Sequence, residues 1–287
     1  MSARFGPAGN ADSFSKQYKS SLDAPGWIAG LGLECYEYQC GKGVHVGEET
    51  ARKLGERARQ AGIILSLHAP YFINLANPDP EALQKTIGSI TAACRAARWM
   101  GAERVVIHSG ALMGRTRRQA QDIALGSLRE VVAACDDQGF GDITLCPETM
   151  GKINQLGDLE EVLELCTVDE RLLPCIDFGH LYARSLGAED GAEAFDRMLS
   201  RVEAVLGRER ASRFHSHFSH IQFTPKGGEK CHRTFADDDG YGPDWAPLAA
   251  LVAARGWSPT FICESAGTQA EDALEMKRIY RDCAGAE

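Results

Sequence analysis

IILSLHAPYFINLANPDPEALQKTIGSITAACRAARWMGAERVVIH, residues 63–108, carries one complete unit of the fold. A β-rich run, Ile63 to His68, leads into a loop holding Asn74 and Asn77. The next stretch places Leu83, Ile87, Ile90, Cys94 and Ala97 on one helical face before Gly101. A second β-rich run, Arg104 to His108, follows at once. Strand, helix and strand at this spacing form the βα unit of a parallel sheet.

The same alternation extends in both directions. Arg4 to Pro7, Leu33 to Gln39, Asp142 to Glu148, Leu173 to Asp177, His217 to Phe223 and Thr260 to Glu264 read as further strands. EETARKLGERARQAG begins acidic and stops at Gly62. RRQAQDIALGSLREVVAACDDQG and DLEEVLELCT are helical as well, the latter with Leu159, Val162, Leu163 and Leu165 at helical spacing. Eight βα units in 287 residues, with no linker, repeat or low-complexity block, predict one α/β domain over 1–287. The architecture expected is a single (β/α)₈ TIM barrel, whose usual length is about 250 residues. A doubly wound open sheet is the alternative, but it would carry G-x-G-x-x-G after the first strand, and FGPAGNADS is not that motif.

Composition narrows the function. With 31 Lys and Arg against 40 Asp and Glu, the net charge of −9 argues against a non-specific nucleic-acid coat, although a local basic patch remains allowed. A hydrophobic share of 44% excludes a disordered chain. The ten cysteines form no C-x-x-C pair and read mostly as reduced core thiols. No apolar leader and no run near the roughly 18 apolar residues of a membrane span is present, so the expectation is a cytoplasmic protein with no membrane partner.

A barrel keeps its chemistry at the C-terminal ends of its strands. Those ends deliver His68, His108, Glu148, Asp177 with His180 three residues on, His217 and Glu264, and the loop after strand seven adds His232. Any one of these alone would more often be a loop-capping imidazole or a helix-capping carboxylate. Six consecutive strand ends converging on one mouth need a cation to neutralise and order them. Imidazole and carboxylate without thiolate suit Zn²⁺, with Mn²⁺ or Fe²⁺ as alternatives. Strand parity puts Cys146 and Cys175 inside the barrel below Glu148 and Asp177, and turns Cys263 towards the helices. Cys231, beside His232, is the one thiol left as a remote ligand candidate.

The motifs HAPYFINLANP, VIHSG, PET, CIDFGH, HFS and CES resemble those of the endonuclease IV family, the AP endonucleases of family 2, within the xylose-isomerase-like barrel superfamily. FGPAG and ECYEYQCGKG in the N-terminal third are similar to a short microbial branch, with less functional meaning. The resemblance implies one zinc on His68, His108 and Glu148. It implies a second on Glu148, Asp177, His217 and Glu264, and a third on His180 and a D-x-H pair after strand seven. Glu148 and Glu264 are then the catalytic carboxylates, Glu148 bridging two metals. Here the segment reads GGEKCHRTF: His232 matches the pair's histidine, Lys230 stands where the aspartate is expected, and Glu229 is one residue out of register. Either Glu229 reaches the metal through a loop shift, or the Lys230 ammonium replaces part of that metal's charge, or the third site is incomplete.

The same resemblance implies a monomeric, zinc-dependent endodeoxyribonuclease of DNA repair, cleaving 5′ to abasic sites with metal-activated hydroxide. Tyr71 matches the family's DNA-inserting aromatic, and Tyr71 and Lys230 are the expected substrate contacts. Asn74 and Asn77 are expected to shape their loop through side-chain to backbone bonds. Arg115, Arg117, Arg118 and Lys226 are phosphate candidates, although a solvated helix turn explains the arginines better. The rival enzyme is a divalent-metal sugar isomerase or epimerase, for which Glu148, Asp177, His217 and Glu264 suffice and a small sugar replaces DNA. His68, His108, His180 and His232 favour the phosphodiesterase, since an epimerase needs none of them. Hydrolysis of another phosphoester, and a metal-binding barrel that has lost cleavage, complete the alternatives.

Overall fold

Strand β1 (Arg4–Pro7) can lie against β2 (Cys35–Gln39) because residue 6 is glycine: a Cβ there would stand 1.7 Å from the carbonyl oxygen of Cys35. Two backbone bonds join the strands, Glu34 N to Phe5 O at 3.0 Å and Gly9 N to Glu37 O at 2.9 Å. This contact closes an eight-stranded sheet in the computed structural model, which describes residues 2–285. The remaining barrel strands are β3 (Ile64–His68), β4 (Arg104–His108), β5 (Thr144–Glu148), β6 (Cys175–Asp177), β7 (His215–Phe218) and β10 (Thr260–Cys263). Their order is β1-β10-β7-β6-β5-β4-β3-β2, and every neighbouring pair is parallel. The chain is a (β/α)₈ TIM barrel, as the strand and helix alternation predicts.

Two short helices, α1 (Asp12–Gln17) and α2 (Ala24–Gly30), join β1 to β2. Helices α3 (Glu48–Ala61) and α4 (Pro80–Met100) end at Gly62 and Gly101, as the sequence predicts. Ile90, Cys94 and Ala97 of α4 are fully buried, whereas Leu83 and Ile87 of the same face are half-buried at the helix's outer end. Helices α5 (Arg117–Asp137) and α6 (Leu159–Leu165) each begin with a reciprocal capping box, Thr116 with Gln119 and Asp158 with Glu161. Inside the barrel Val106, Cys146, Leu173 and Cys175 form a small apolar layer, and Cys263 packs in the outer core under the helices. Strand parity thus places all three thiols correctly. No helix among the described residues is long and apolar enough to cross a membrane.

Strand seven departs from the reading of His217 to Phe223. Barrel strand β7 starts at His215 and stops at Phe218, where its partner β10 ends. The chain then leaves the barrel at Ser219, and His220–Thr224 is a separate strand, β8, paired antiparallel with β9 (Gly228–Arg233). The run HFSHIQF is compatible with a strand throughout, and the adjacent polar pair Ser219 and His220 is the one local irregularity at the break. The break is set by the partners and not by the local sequence.

Candidate metal centre

The C-terminal ends of β3 to β7 and β10 place the expected residues around one carboxylate. Glu148, at the end of β5 and 1% exposed, receives His217 Nδ1 at 2.9 Å on Oε1. Its Oε2 lies 3.2 Å from His68 Nε2 and 3.3 Å from His108 Nε2. Glu264 Oε2 is 3.5 Å from the same His217 nitrogen. Donor atoms of Glu148, Asp177, His217 and Glu264 all fall within 4.8 Å of one another, as do those of His68, Glu148 and His217, and those of His180, His232 and Glu264. Cys231 instead faces Gln222 across the hairpin, its thiol 3.4 Å from Gln222 Oε1.

Each imidazole has one nitrogen already engaged. Nδ1 of His68 meets the Ala69 carbonyl at 2.7 Å, that of His108 the Tyr71 carbonyl at 3.2 Å, and that of His180 the Thr149 carbonyl at 2.8 Å. A carbonyl only accepts, so in these rings Nδ1 carries the proton and the neutral tautomer leaves the Nε2 lone pair facing the mouth. His232 follows the pattern, with Nδ1 2.8 Å from Ser219 Oγ. His217 is turned over: Nε2 faces Glu37 Oε1 at 2.9 Å and Nδ1 faces Glu148. Asp177 caps helix α7 (Phe178–Arg184) with Oδ1, which accepts from His180 N at 2.8 Å. Its Oδ2 is buried and makes no hydrogen bond, although it lies at ion-pair distance, 3.2 Å, from His180 Nδ1.

The electrostatics of the protein alone are those of crowded anions. Burial drives the Asp177 carboxyl up, and the neighbouring Glu264 and Glu148 charges add to it. Burial opposes ionisation of Glu148 too, yet the charge of His217 and the bonds from His108, His217 and His68 hold its carboxyl well below the ordinary range. Burial disfavours charge on His180, but Asp177, Glu229, Glu148 and Glu264 outweigh it and lift the ring to about 9. The centre therefore attracts positive charge. Lone pairs aimed at a shared carboxylate and an Asp177 oxygen without a hydrogen bond fit a divalent cation held by nitrogen and oxygen, as in zinc, manganese or iron(II) sites, while the one neighbouring inward thiol, Cys175, groups with His215 and His217.

Beyond the barrel, β9 carries the residues at which the sequence departs from the family's D-x-H pair. Gln222 pairs with Cys231 and Phe223 with Glu229, which leaves Lys230 as the extra residue of a β-bulge. The bulge restores to Glu229 and His232, three positions apart, the shared face that a two-residue spacing would give them. Both line a cleft of about 420 Å³ with His68, His108, Glu148 and His180, and Glu229 Oε2 stands 3.6 Å from His180 Nε2. The Lys230 side chain is exposed and does not line this cleft. Gly151 makes room for Glu229, since a Cβ at 151 would come within 2.7 Å of the Glu229 Cβ.

The other expected substrate contacts divide. Tyr71 stands at the rim, 56% exposed, its ring stacked 5.8 Å from that of His108, and Phe72 beside it is 64% exposed. Asn74 Oδ1 accepts from Ala76 N and Ala111 N, and Asn77 Oδ1 from Asp79 N, so both shape loops as expected. Arg117 is bound to Glu161 and to the Ile153 and Gln155 carbonyls, and Arg118 to Glu164 and Asp122. These two arginines tie α5 to its neighbours instead of facing a ligand. Lys152, which no sequence motif singles out, lines the cleft. Glu37 sits in ECYEYQCGKG, a segment read with little functional meaning, and His215 stands two residues before His217; the one signal that points to Glu37 is its inward parity between the outward Tyr36 and Tyr38.

Comparison with known proteins agrees with this architecture. The family model described as xylose isomerase-like TIM barrel matches residues 26–282. An uncharacterized protein of Methanocaldococcus jannaschii is 32% identical over 273 residues, 95% of each chain. A probable endonuclease 4 of Mycoplasma pneumoniae is 30% identical over 148 residues, and there the match spans 50% of this chain and 49% of that protein. Among solved structures, a D-tagatose 3-epimerase-like protein superposes with a TM-score of 0.72 at 18% identity over 98% of both chains. Endonuclease IV from Thermus thermophilus superposes with 0.66 at 19% identity, over 99% of this chain and 100% of that one. At such identities the structural likeness shows the fold alone, but with the matched family model it is enough to conclude that this chain belongs to the xylose isomerase-like TIM barrel family.

Proposed function

We propose that the protein is a cytoplasmic, zinc-dependent endodeoxyribonuclease that cuts DNA 5′ to abasic sites, acting as a monomer. One observation carries this reading: His68, His108, His180 and His232 surround the Glu148, Asp177, His217 and Glu264 set, each with its Nδ1 engaged and its Nε2 left for the mouth. Chemistry at a sugar carbon would use the carboxylates and one imidazole, leaving those four rings without work. The half-length match to a probable endonuclease 4 supports the same choice.

In this reading His68, His108 and Glu148 hold one zinc, and Glu148, Asp177, His217 and Glu264 hold the second. His180 and His232 hold a third, with Glu229 taking the place of the expected aspartate. When bound, the zinc ions supply Lewis acidity and a nucleophilic water at neutral pH. The chain's own contribution would be to gather His68, His108 and His217 around Glu148 and, through the backbone carbonyls at their Nδ1 atoms, to keep His68, His108 and His180 in the ligating tautomer. Tyr71 and Phe72, exposed at the rim, offer flat surfaces against which a base or an emptied base position can rest. With a net charge of −9, DNA affinity relies on the metals and on few cations such as Lys152, so binding should weaken steeply with salt.

Metal analysis of protein purified without chelator, followed by incubation with abasic-site DNA and separately with a ketohexose panel, tests the proposal. Two or three zinc ions per chain and nicked DNA are expected. One manganese per chain with ketose turnover would establish the epimerase reading, which the compact Glu148, Asp177, His217 and Glu264 cluster favours on its own.

A further inference from the structure

Beneath the mouth lies an anion that the metal assignment does not use. Glu37, on β2 and fully buried, accepts hydrogen bonds from Ser66 Oγ at 2.9 Å, from His215 Nε2 at 2.9 Å and from Gln39 Nε2 at 3.2 Å. Its Oε1 is also at ion-pair distance, 2.9 Å, from His217 Nε2. Three donors therefore bind its two oxygens and the His217 nitrogen faces them at ion-pair distance outside hydrogen-bond geometry, and no lysine or arginine makes a salt bridge to it among the described residues. A carboxylate inside a barrel is costly unless a cation compensates it.

His217 supplies the connection. It is the imidazole of the centre that is turned over, presenting Nδ1 to Glu148 and Glu264 and Nε2 to Glu37. A carboxylate at Nε2 holds the proton on that nitrogen and leaves the Nδ1 lone pair for a cation. It also makes the ring a stronger donor. His215, two residues earlier on the same inward face of β7, holds Glu37 from the other side through its own Nε2.

Resting on the metal-centre reading above, we infer that Glu37 is a positioning residue for that centre: with Ser66 and His215 it locks His217 in the Nδ1-ligating orientation and compensates part of the bound cation's charge. Glutamine cannot replace it. The carboxamide has one oxygen, and its NH₂ group would face donors where the carboxylate accepts.

The test compares wild type, Glu37→Gln and the milder Ser66→Ala, each stripped with chelator and reloaded with Zn²⁺ or Co²⁺. Chelator competition gives affinity, visible absorption of the Co²⁺ forms reports ligand geometry, and long-range ¹H–¹⁵N NMR of the zinc forms reports which His217 nitrogen is bound. Glu37→Gln is expected to weaken the tightest-coupled site by about 10- to 100-fold and to change the cobalt spectrum. Ser66→Ala should move both in the same direction by a smaller factor, and it decides the matter if Glu37→Gln does not fold. Unchanged affinity and cobalt spectrum in the folded variants would overturn the inference while leaving the metal centre standing. Wild type that takes up neither metal would overturn both.

Discussion

His68 presents Nε2 to Glu148 Oε2 at 3.2 Å while the carbonyl of the next residue, Ala69, holds its Nδ1 at 2.7 Å. The ring's orientation is thus fixed by its own strand end, and its free nitrogen shares Glu148 with His108 and His217. Glu148→Gln should therefore disturb two proposed metal positions together. Expected are a fall in metal affinity of at least about 10-fold and loss of nicking activity, read by metal analysis and by a gel assay on abasic-site DNA. Full activity in this variant would sink the two-metal assignment.

The bulge at Lys230 makes a contrast between neighbours. Glu229→Gln removes a carboxylate 3.6 Å from His180 Nε2, whereas Lys230→Ala alters an exposed side chain. The first should reduce the metal content by about one ion per chain and the second should leave it at the wild-type value. Deleting Lys230 should leave the metal content at the wild-type value, because the two-residue spacing that results keeps Glu229 and His232 on one face of a β9 without a bulge. Metal loss in Lys230→Ala with retention in Glu229→Gln would reverse the assignment.

Metal removal should destabilise the fold. Ions that bind only the native chain stabilise it by about 4 kcal/mol when present at a thousand times their dissociation constant. For a chain of this size that corresponds to a melting temperature lower by roughly 8 °C or more in the chelated protein. Calorimetry before and after stripping measures it, and coincident transitions would count against a loaded centre.

Barrel closure depends on one missing methyl group. Gly6→Ala puts a Cβ 1.7 Å from the Cys35 carbonyl, so β1 must move away from β2. A loss of about 3 kcal/mol is expected by denaturant unfolding. A wild-type midpoint would show that the two strands can separate at little cost.

Tyr71 lies at the rim of the cleft, 56% exposed, with its ring stacked on that of His108. Tyr71→Ala should weaken abasic-site DNA binding by about 10-fold, consistent with about 1–3 kcal/mol per stacked base, and should leave zinc content unchanged. Fluorescence anisotropy alongside metal analysis separates the two quantities; zinc loss here would mean that the ring supports His108, on which it stacks.

The sequence by itself determined the barrel, most of its strand limits and the ligand-bearing strand ends, because these follow from local rules. Period two fixes which residues of a strand face inward, and His68, His108, Glu148, Asp177 and Glu264 obey it within a few residues of a readable strand. Tertiary structure decided what depends on partners distant in the chain. Glu37 and His215, separated by 178 positions, meet only because closing the sheet brings β2 and β7 to one interior. The end of β7 is set by where β10 stops. The identity of the carboxylate beside His180, Glu229 and not the position occupied by Lys230, follows from a bulge that exists only in the pairing of β8 with β9. Local period settles which face a residue takes along its own strand; which other strand supplies its neighbour is settled by closure and register, and neither is written in any single segment.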